Sequence, residues 1–257
     1  MTEIQYIIVF LFGSIVGSFL NVCIYRMPRG LSIVRPSSRC PSCSAAIKPY
    51  DNIPVLSFLF LGGRCRYCRA KIPLRYPLVE TLNAFMYIAV IWRFGLNWHT
   101  PVLFAFCSAM IVITFIDLDF QIIPDAITLP GIPVGLITGA LLLPDPFARN
   151  SVLGFKEAII GIMTGGGLFY IIAVLSRGGM GGGDIKMMAM VGAFMGWKAV
   201  LLTTFSGSLL GSIVGIFLMA FKGKGRKTRI PFGPFLSSGA IITLFYGQEI
   251  LALYLHR

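Results

Sequence analysis

The chain has 257 residues and a formal net charge of +12, and it is 56% hydrophobic and only 12% charged. A soluble domain carries about 25% charged residues, so a single water-soluble core is excluded and a polytopic membrane protein is indicated. The cationic excess does not point to nucleic acid, because it falls where a membrane protein carries its positive-inside signal.

Taken in chain order, the first apolar segment is Ile4–Ile24. It lacks a basic leading region (Glu3 is the only early charge) and a small-residue cleavage site, so it is expected to be a retained first span rather than a secretory signal. A polar stretch of about fifty residues, Arg26 to Pro77, follows. The remaining apolar segments are Leu78–Phe94, Pro101–Ile116, Ala126–Leu143, Ala158–Leu175, Met187–Trp197, Ala199–Phe221 and Pro231–Leu255. Most approach the roughly 20 residues that cross a bilayer; Met187–Trp197 is too short to do so without tilting or local thinning. The expected fold is an all-α membrane protein of about eight transmembrane helices with a small cytoplasmic domain between the first two. The expected domains are a first transmembrane helix over 1–25, a cytoplasmic domain over 26–77, and a transmembrane catalytic domain over 78–257.

Orientation follows from the Lys and Arg. With the amino terminus outside, the inner loops hold the ten basic residues from Arg26 to Arg75, then Arg177 and Lys186, then Lys222, Lys224, Arg226, Lys227 and Arg229. Only Arg93, Arg149, Lys156, Lys198 and Arg257 fall outside. That bias sets the topology and places Asp117 and Asp184 at the same, cytoplasmic, face.

The polar stretch contains Cys40-Pro41-Ser42-Cys43 and Cys65-Arg66-Tyr67-Cys68, separated by twenty-one residues. Two such pairs read as a four-thiolate tetrahedral zinc site with Cys40, Cys43, Cys65 and Cys68 as ligands. The alternative is two disulfides, which a reducing compartment disfavours. So small a segment buries little apolar surface, and metal binding can supply its folding energy. Cys23 and Cys107 lie inside spans and read as small apolar fillers.

Of the chain's ten acidic residues, Asp117, Asp119, Asp125 and Asp184 flank two membrane edges. Carboxylates at such positions are functional by default. Asp117 ends an apolar run whose helix is expected to stop near Pro124. Asp125 reads as a helix N-cap, and Asp119, two residues beyond Asp117, as a solvated charge or a substrate contact. Asp184 closes the string Gly181-Gly182-Gly183-Asp184, where glycines allow positive φ and close backbone approach. Irregular backbone in a membrane survives only when buried in protein or lining a water-filled cavity, and a hydrolase needs such a cavity. The plain alternative is a cytoplasmic loop with Asp184 as an N-cap. Two aspartates brought together can share a proton and activate water, which gives an intramembrane aspartic protease as the leading expectation.

These motifs occur together with Gly17-Ser18-Phe19-Leu20-Asn21-Val22, Tyr25-Arg26-Met27-Pro28, Asn52-Ile53-Pro54-Val55-Leu56-Ser57 and Gly62-Gly63-Arg64-Cys65. Arg75-Tyr76-Pro77-Leu78-Val79-Glu80 and Ile230-Pro231-Phe232-Gly233-Pro234-Phe235 complete the series. In this order and spacing the chain resembles the type IV prepilin peptidases, which serve type IV pili and type II secretion in the bacterial cytoplasmic (inner) membrane. The resemblance implies that Asp117 and Asp184 are the catalytic pair. It implies cleavage of prepilin and pseudopilin leaders after a glycine at the cytoplasmic face, and N-methylation of the new amino terminus, usually phenylalanine, with S-adenosylmethionine as methyl donor. The four-Cys segment is linked in that family to the second activity, so the bifunctional form is expected. Asn21, Arg26 and Glu80 become candidate methyltransferase contacts, and Lys186 a candidate substrate or phospholipid contact. Their plain readings are helix capping for Glu80 and snorkelling for Lys186.

The expected partners are the prepilin and pseudopilin substrates and the lipid bilayer, with no nucleic acid. His99 and His256 are isolated and pair with no nucleophile, and no His-Glu-x-x-His occurs, which disfavours serine, cysteine and common zinc proteases. Two competing readings are a transporter, which would call for inverted repeats and mid-membrane charge, and a zinc-knuckle membrane adaptor, which leaves the Gly-Gly-Gly-Asp string unexplained.

Overall fold

A computed structural model describes residues 3–176, 179–222 and 231–255. The topological cations Arg177, Lys224, Arg226, Lys227, Arg229 and Arg257, with Gly178, Ile230 and His256, lie outside the described residues. Helices α1 (Glu3–Arg26), α2 (Leu56–Phe60), α3 (Arg75–Phe94), α4 (Thr100–Phe120), α5 (Asp125–Leu141), α6 (Phe155–Leu175), α7 (Gly182–Lys222) and α8 (Gly233–Leu255) dominate the chain. A short hairpin of β1 (Pro144–Asp145) and β2 (Ala148–Val152) joins α5 to α6. Among the described residues, five helices are long and apolar enough to cross a bilayer: Glu3–Arg29, Thr100–Phe120, Phe155–Leu175, Gly182–Ala220 and Gly233–Tyr254.

The chain divides into two compact units, Met1–Val112 and Ile113–Arg257. In the first, α3 returns antiparallel along α1. The register is legible from glycines: a Cβ on Gly13 would come within 2.7 Å of the Ala84 Cα, and one on Gly17 within 2.6 Å of the Glu80 Cα. Without a hydrophobic driving force between lipid-solvated helices, such close approach supplies the packing, and buried polar groups must find partners within the protein. Asn83 donates to the Gly13 carbonyl at 2.7 Å and accepts from the Ser108 hydroxyl at 2.9 Å, and Tyr87 pairs with Ser108 at 3.0 Å. This satisfied chain ties α1, α3 and the first part of α4 together.

In the second unit α7 is the hub. It touches α5 through Gly135, where a Cβ would meet the Phe194 ring, and α8 through Gly239, where it would meet the Thr203 carbonyl. The tightest approach is to α6: a Cβ on Gly161 would overlap the Gly192 carbonyl, and one on Gly192 would overlap that of Gly161. α7 also turns a corner. Gly196 has φ 80° and ψ 175°, and it separates a first stretch, 182–195, from a second, 197–222. The sequence places this break at Lys198; the backbone places it two residues earlier, at the residue that tolerates left-handed φ. Leu153, just past β2, fills the space a Cβ at Gly196 would need. A second difference is at α4, which ends at Phe120 rather than near Pro124, with Gln121 at φ 55° breaking the helix.

Gly192→Val is expected to destabilise the protein by about 1–3 kcal/mol, because its neighbour is backbone that cannot rotate away. Gly167→Val, which meets nothing within 4 Å, is the control. Thermal melting in detergent reads the difference, and equal melting points would remove the close-approach account.

Candidate active site

Three helix ends converge in the second unit: the end of α4, the start of α7 and the start of α8. Asp117 occupies the last turn of α4 and is 6% exposed. A buried carboxylate needs a donor, and the Gly233 backbone N–H supplies one to Oδ2 at 2.8 Å. The absence of a side chain at Gly233 is a requirement, since a Cβ there would sit 2.8 Å from the same oxygen. Asp184 lies in the first turn of α7, half-buried. It is close enough for its charge and that of Asp117 to interact directly, and the Gly181 backbone N–H reaches its carboxylate. The two aspartates, 67 positions apart in sequence, therefore lie within reach of each other's field.

The glycine string works by closeness rather than by left-handed geometry. None of Gly181, Gly182 and Gly183 has positive φ, and Gly182 and Gly183 already belong to α7. A Cβ on Gly183 would lie 2.8 Å from the Ile123 Cβ, so the loop after α4 packs directly on the start of α7. A second tie sits nearby. Lys186 Nζ donates to both carboxylate oxygens of Asp125 at 2.8 and 2.7 Å. Asp125 is thus the first residue of α5 and an ion-pair partner, not an N-cap; Pro124 holds the cap position without a side-chain bond. Asp119 is exposed on the last turn of α4.

The four thiols of the first unit also meet. The Sγ atoms of Cys40, Cys43, Cys65 and Cys68 all lie within 4.8 Å of one another, with Cys40–Cys68 at 3.8 Å and Cys43–Cys65 at 4.0 Å. A tetrahedral zinc site with Zn–S near about 2.3 Å has sulfur–sulfur edges of about 3.8 Å, so the donor set fits that ion. None of the four forms a disulfide. The two halves are built alike, as Arg39-Cys40-x-x-Cys43-x-Ala45-x-Ile47 and Arg64-Cys65-x-x-Cys68-x-Ala70-x-Ile72. In each, the first Cys N–H donates to the Ala carbonyl at 2.9 Å, and the residue after the second Cys (Ser44, Arg69) has positive φ. The Cys43 N–H directed at its sulfur pulls the Cys40 thiol down to about 6. The Ala45 N–H acts the same way on Cys43, but desolvation and three thiol neighbours outweigh it and push Cys43 up to about 11. A thiol cluster that ionises one member at the others' expense is one that a cation would complete.

The other candidate residues are placed but not gathered at either cluster. Asn21 donates to the Tyr76 carbonyl at 3.1 Å, and Arg26 to the carbonyls of Ser32 at 2.9 Å and Pro36 at 2.7 Å. Glu80, 7% exposed, accepts the Val55 N–H at 2.8 Å. All three knit the polar segment to α1 and α3. The residue whose part in the site sequence reasoning missed is Gly233, quoted there only within a motif. Its signal was a glycine held between an aromatic and a proline, Phe232-Gly233-Pro234, at the very start of an apolar helix.

The Asp125–Lys186 pair is more than a third exposed on both sides. Asp125→Asn is therefore expected to cost no more than about 1 kcal/mol, read as a small melting shift that shrinks further at high salt.

Comparison with known proteins places these features in context. The family described as "Bacterial Peptidase A24 N-terminal domain" matches residues 11–94, and that described as "Type IV leader peptidase family" matches residues 104–216. Proteins named prepilin leader peptidase/N-methyltransferase are similar along nearly the whole length. The one from Pseudomonas aeruginosa is 35% identical over 95% of this chain and 91% of its own, and the one from Pseudomonas putida 36% over 93% and 90%. The Myxococcus xanthus protein of that name is 39% identical over 85% of this chain and 64% of its own. No solved structure matches the chain.

Proposed function

The chain belongs to the type IV leader peptidase family, and from that membership and the meeting of Asp117 with Asp184 we propose a bifunctional membrane enzyme. It cleaves the leader peptides of type IV prepilins and pseudopilins after a glycine and N-methylates the amino terminus so released. The membrane-crossing helices carry the site at the cytoplasmic face of the inner membrane, with the amino terminus outside and eight spans in all. The first is 1–25, and residues 78–257 form the protease domain around the others. The observation that supports the reading most is the convergence of the two carboxylates at three helix ends.

Asp117 and Asp184 are the catalytic residues of this proposal. Two carboxyl groups in each other's field share one proton, so one acts as base on the attacking water while the other donates to the scissile carbonyl oxygen. The pair titrates as a unit, and its two roles belong to the pair rather than to a fixed residue. Gly233 N–H holds Asp117 in place, and Gly183 brings Asp184 within reach. Gly181, Gly182 and Gly183 form the active-site loop. Asp119 and Lys186 stand at its rim as candidate substrate contacts.

The cytoplasmic segment 26–77 holds one zinc ion through Cys40, Cys43, Cys65 and Cys68. The ion supplies folding energy to a segment with little buried hydrocarbon. S-adenosylmethionine is the methyl donor. Asn21, Arg26 and Glu80 make their hydrogen bonds within the chain, so they order the segment that serves this activity.

Asp117→Asn and Asp184→Asn are each expected to lower leader cleavage at least about a thousandfold while methylation of a pre-cleaved pilin continues. Near-normal cleavage by either inserted variant would falsify the dyad. Metal analysis of the purified chain is expected to return one zinc per molecule. Cys43→Ser together with Cys68→Ser should abolish that content and expose residues 26–77 to protease; a reduced, metal-free wild-type chain with a protease-resistant segment contradicts the zinc assignment.

A further inference from the structure

Residues 26–77 hold ten Lys and Arg against a single acid, Asp51. That acid is already occupied, since Arg66 Nε donates to its two oxygens at 3.0 and 2.9 Å and holds its carboxyl below the usual range. A topology signal accounts for cations, but it does not account for the hydrocarbon exposed beside them. Phe60 is 87% exposed, Leu74 74% and Leu59 66%. On α2, Leu56, Leu59 and Phe60 stand at i, i+3 and i+4 and so share one face. Phe58 turns the other way, onto Gly63, where a Cβ would lie 2.9 Å from its ring. Exposed Arg64, Arg66, Arg69 and Lys71 follow directly in the chain.

Both feet of this segment are fixed at the same end of the antiparallel α1–α3 pair. Asn21 of α1 bonds the Tyr76 carbonyl at the start of α3, and Glu80, one turn into α3, takes the Val55 N–H immediately before α2. The apolar face is therefore held within reach of a bilayer surface, where the effective concentration of lipid far exceeds that of any diffusing partner. Apolar side chains that dip into the headgroup region, set among cations that attract anionic lipid, make an interfacial anchor.

We propose that the α2 face, Leu56, Leu59 and Phe60 with the following Arg64 to Lys71, docks on the membrane surface and binds anionic phospholipid headgroups. The docked segment lies flat on the leaflet instead of standing free in water. This assignment is independent of the aspartate pair and of the metal.

The test uses the full chain in nanodiscs of phosphatidylcholine alone and of phosphatidylcholine with phosphatidylglycerol, read by amide hydrogen exchange over residues 56–62. In the anionic discs exchange should slow about tenfold, the factor expected when nine-tenths of the segment is docked, and high salt should reverse much of it. The Leu59→Ser and Phe60→Ser double variant should return the anionic-disc rate to that in phosphatidylcholine, with bound metal unchanged. Equal exchange in the two lipids overturns the proposal. Slowing that appears only when a prepilin is added also overturns it, and assigns the face to the substrate instead.

Discussion

A carboxylate buried at the end of an apolar helix is tolerated only where the protein supplies its hydrogen bonds, and Asp117 sets that condition for the second unit. Its donor, the Gly233 N–H, belongs to the first turn of α8, a stretch of chain 116 residues away. The donor reaches it only because position 233 has no side chain. The condition therefore fixes where α8 begins relative to the end of α4. Asp184 has a parallel requirement, met at the start of α7 by the Gly181 N–H, while the approach of Gly183 to Ile123 and the Asp125–Lys186 pair hold that start against the loop after α4. Lose the Gly233 N–H and Asp117 is left a buried carboxylate without its donor.

Holding three helix ends at that point depends on α7. It lies against α5, α6 and α8 through glycines that let backbone meet backbone, and it bends at Gly196. Packing by small residues is how apolar helices associate where lipid is as apolar as the protein. The same device in the first unit, at Gly13 and Gly17, brings α3 onto α1 and fixes both feet of the four-Cys segment. Rigid close packing thus positions the carboxylates in one unit and the thiols in the other.

Much of this was legible in the sequence because the relevant signals are local. Apolar runs of membrane-spanning length, paired Cys-x-x-Cys motifs and a Gly-Gly-Gly-Asp string need no knowledge of the fold. The convergence of Asp117 with Asp184 could be anticipated only as far as a shared membrane face. What stayed hidden was long-range. Nothing near Gly233 announces that its N–H will meet Asp117, and Asp125 looks like an N-cap until Lys186, 61 residues on, claims its charge. The end of α4 at Phe120 was missed because Pro124 is the louder breaker, yet Gln121 takes the left-handed turn. The duplicated Arg-Cys-x-x-Cys-x-Ala-x-Ile unit was in plain view; reading only the cysteines obscured that the flanking Ala and Ile carry the knuckle's hydrogen bonds.

The proposed chemistry requires two side chains to lie near each other, and a cross-link measures that directly. In a chain whose Cys23 and Cys107 are replaced by Ala, Asp117→Cys and Asp184→Cys should be joined by a short thiol-to-thiol cross-linking reagent in the membrane, detected by mass spectrometry as a joined pair of peptides. Failure to cross-link in a folded, metal-loaded chain, while each introduced thiol still reacts with a small alkylating reagent, would contradict the convergence on which the proposed chemistry depends.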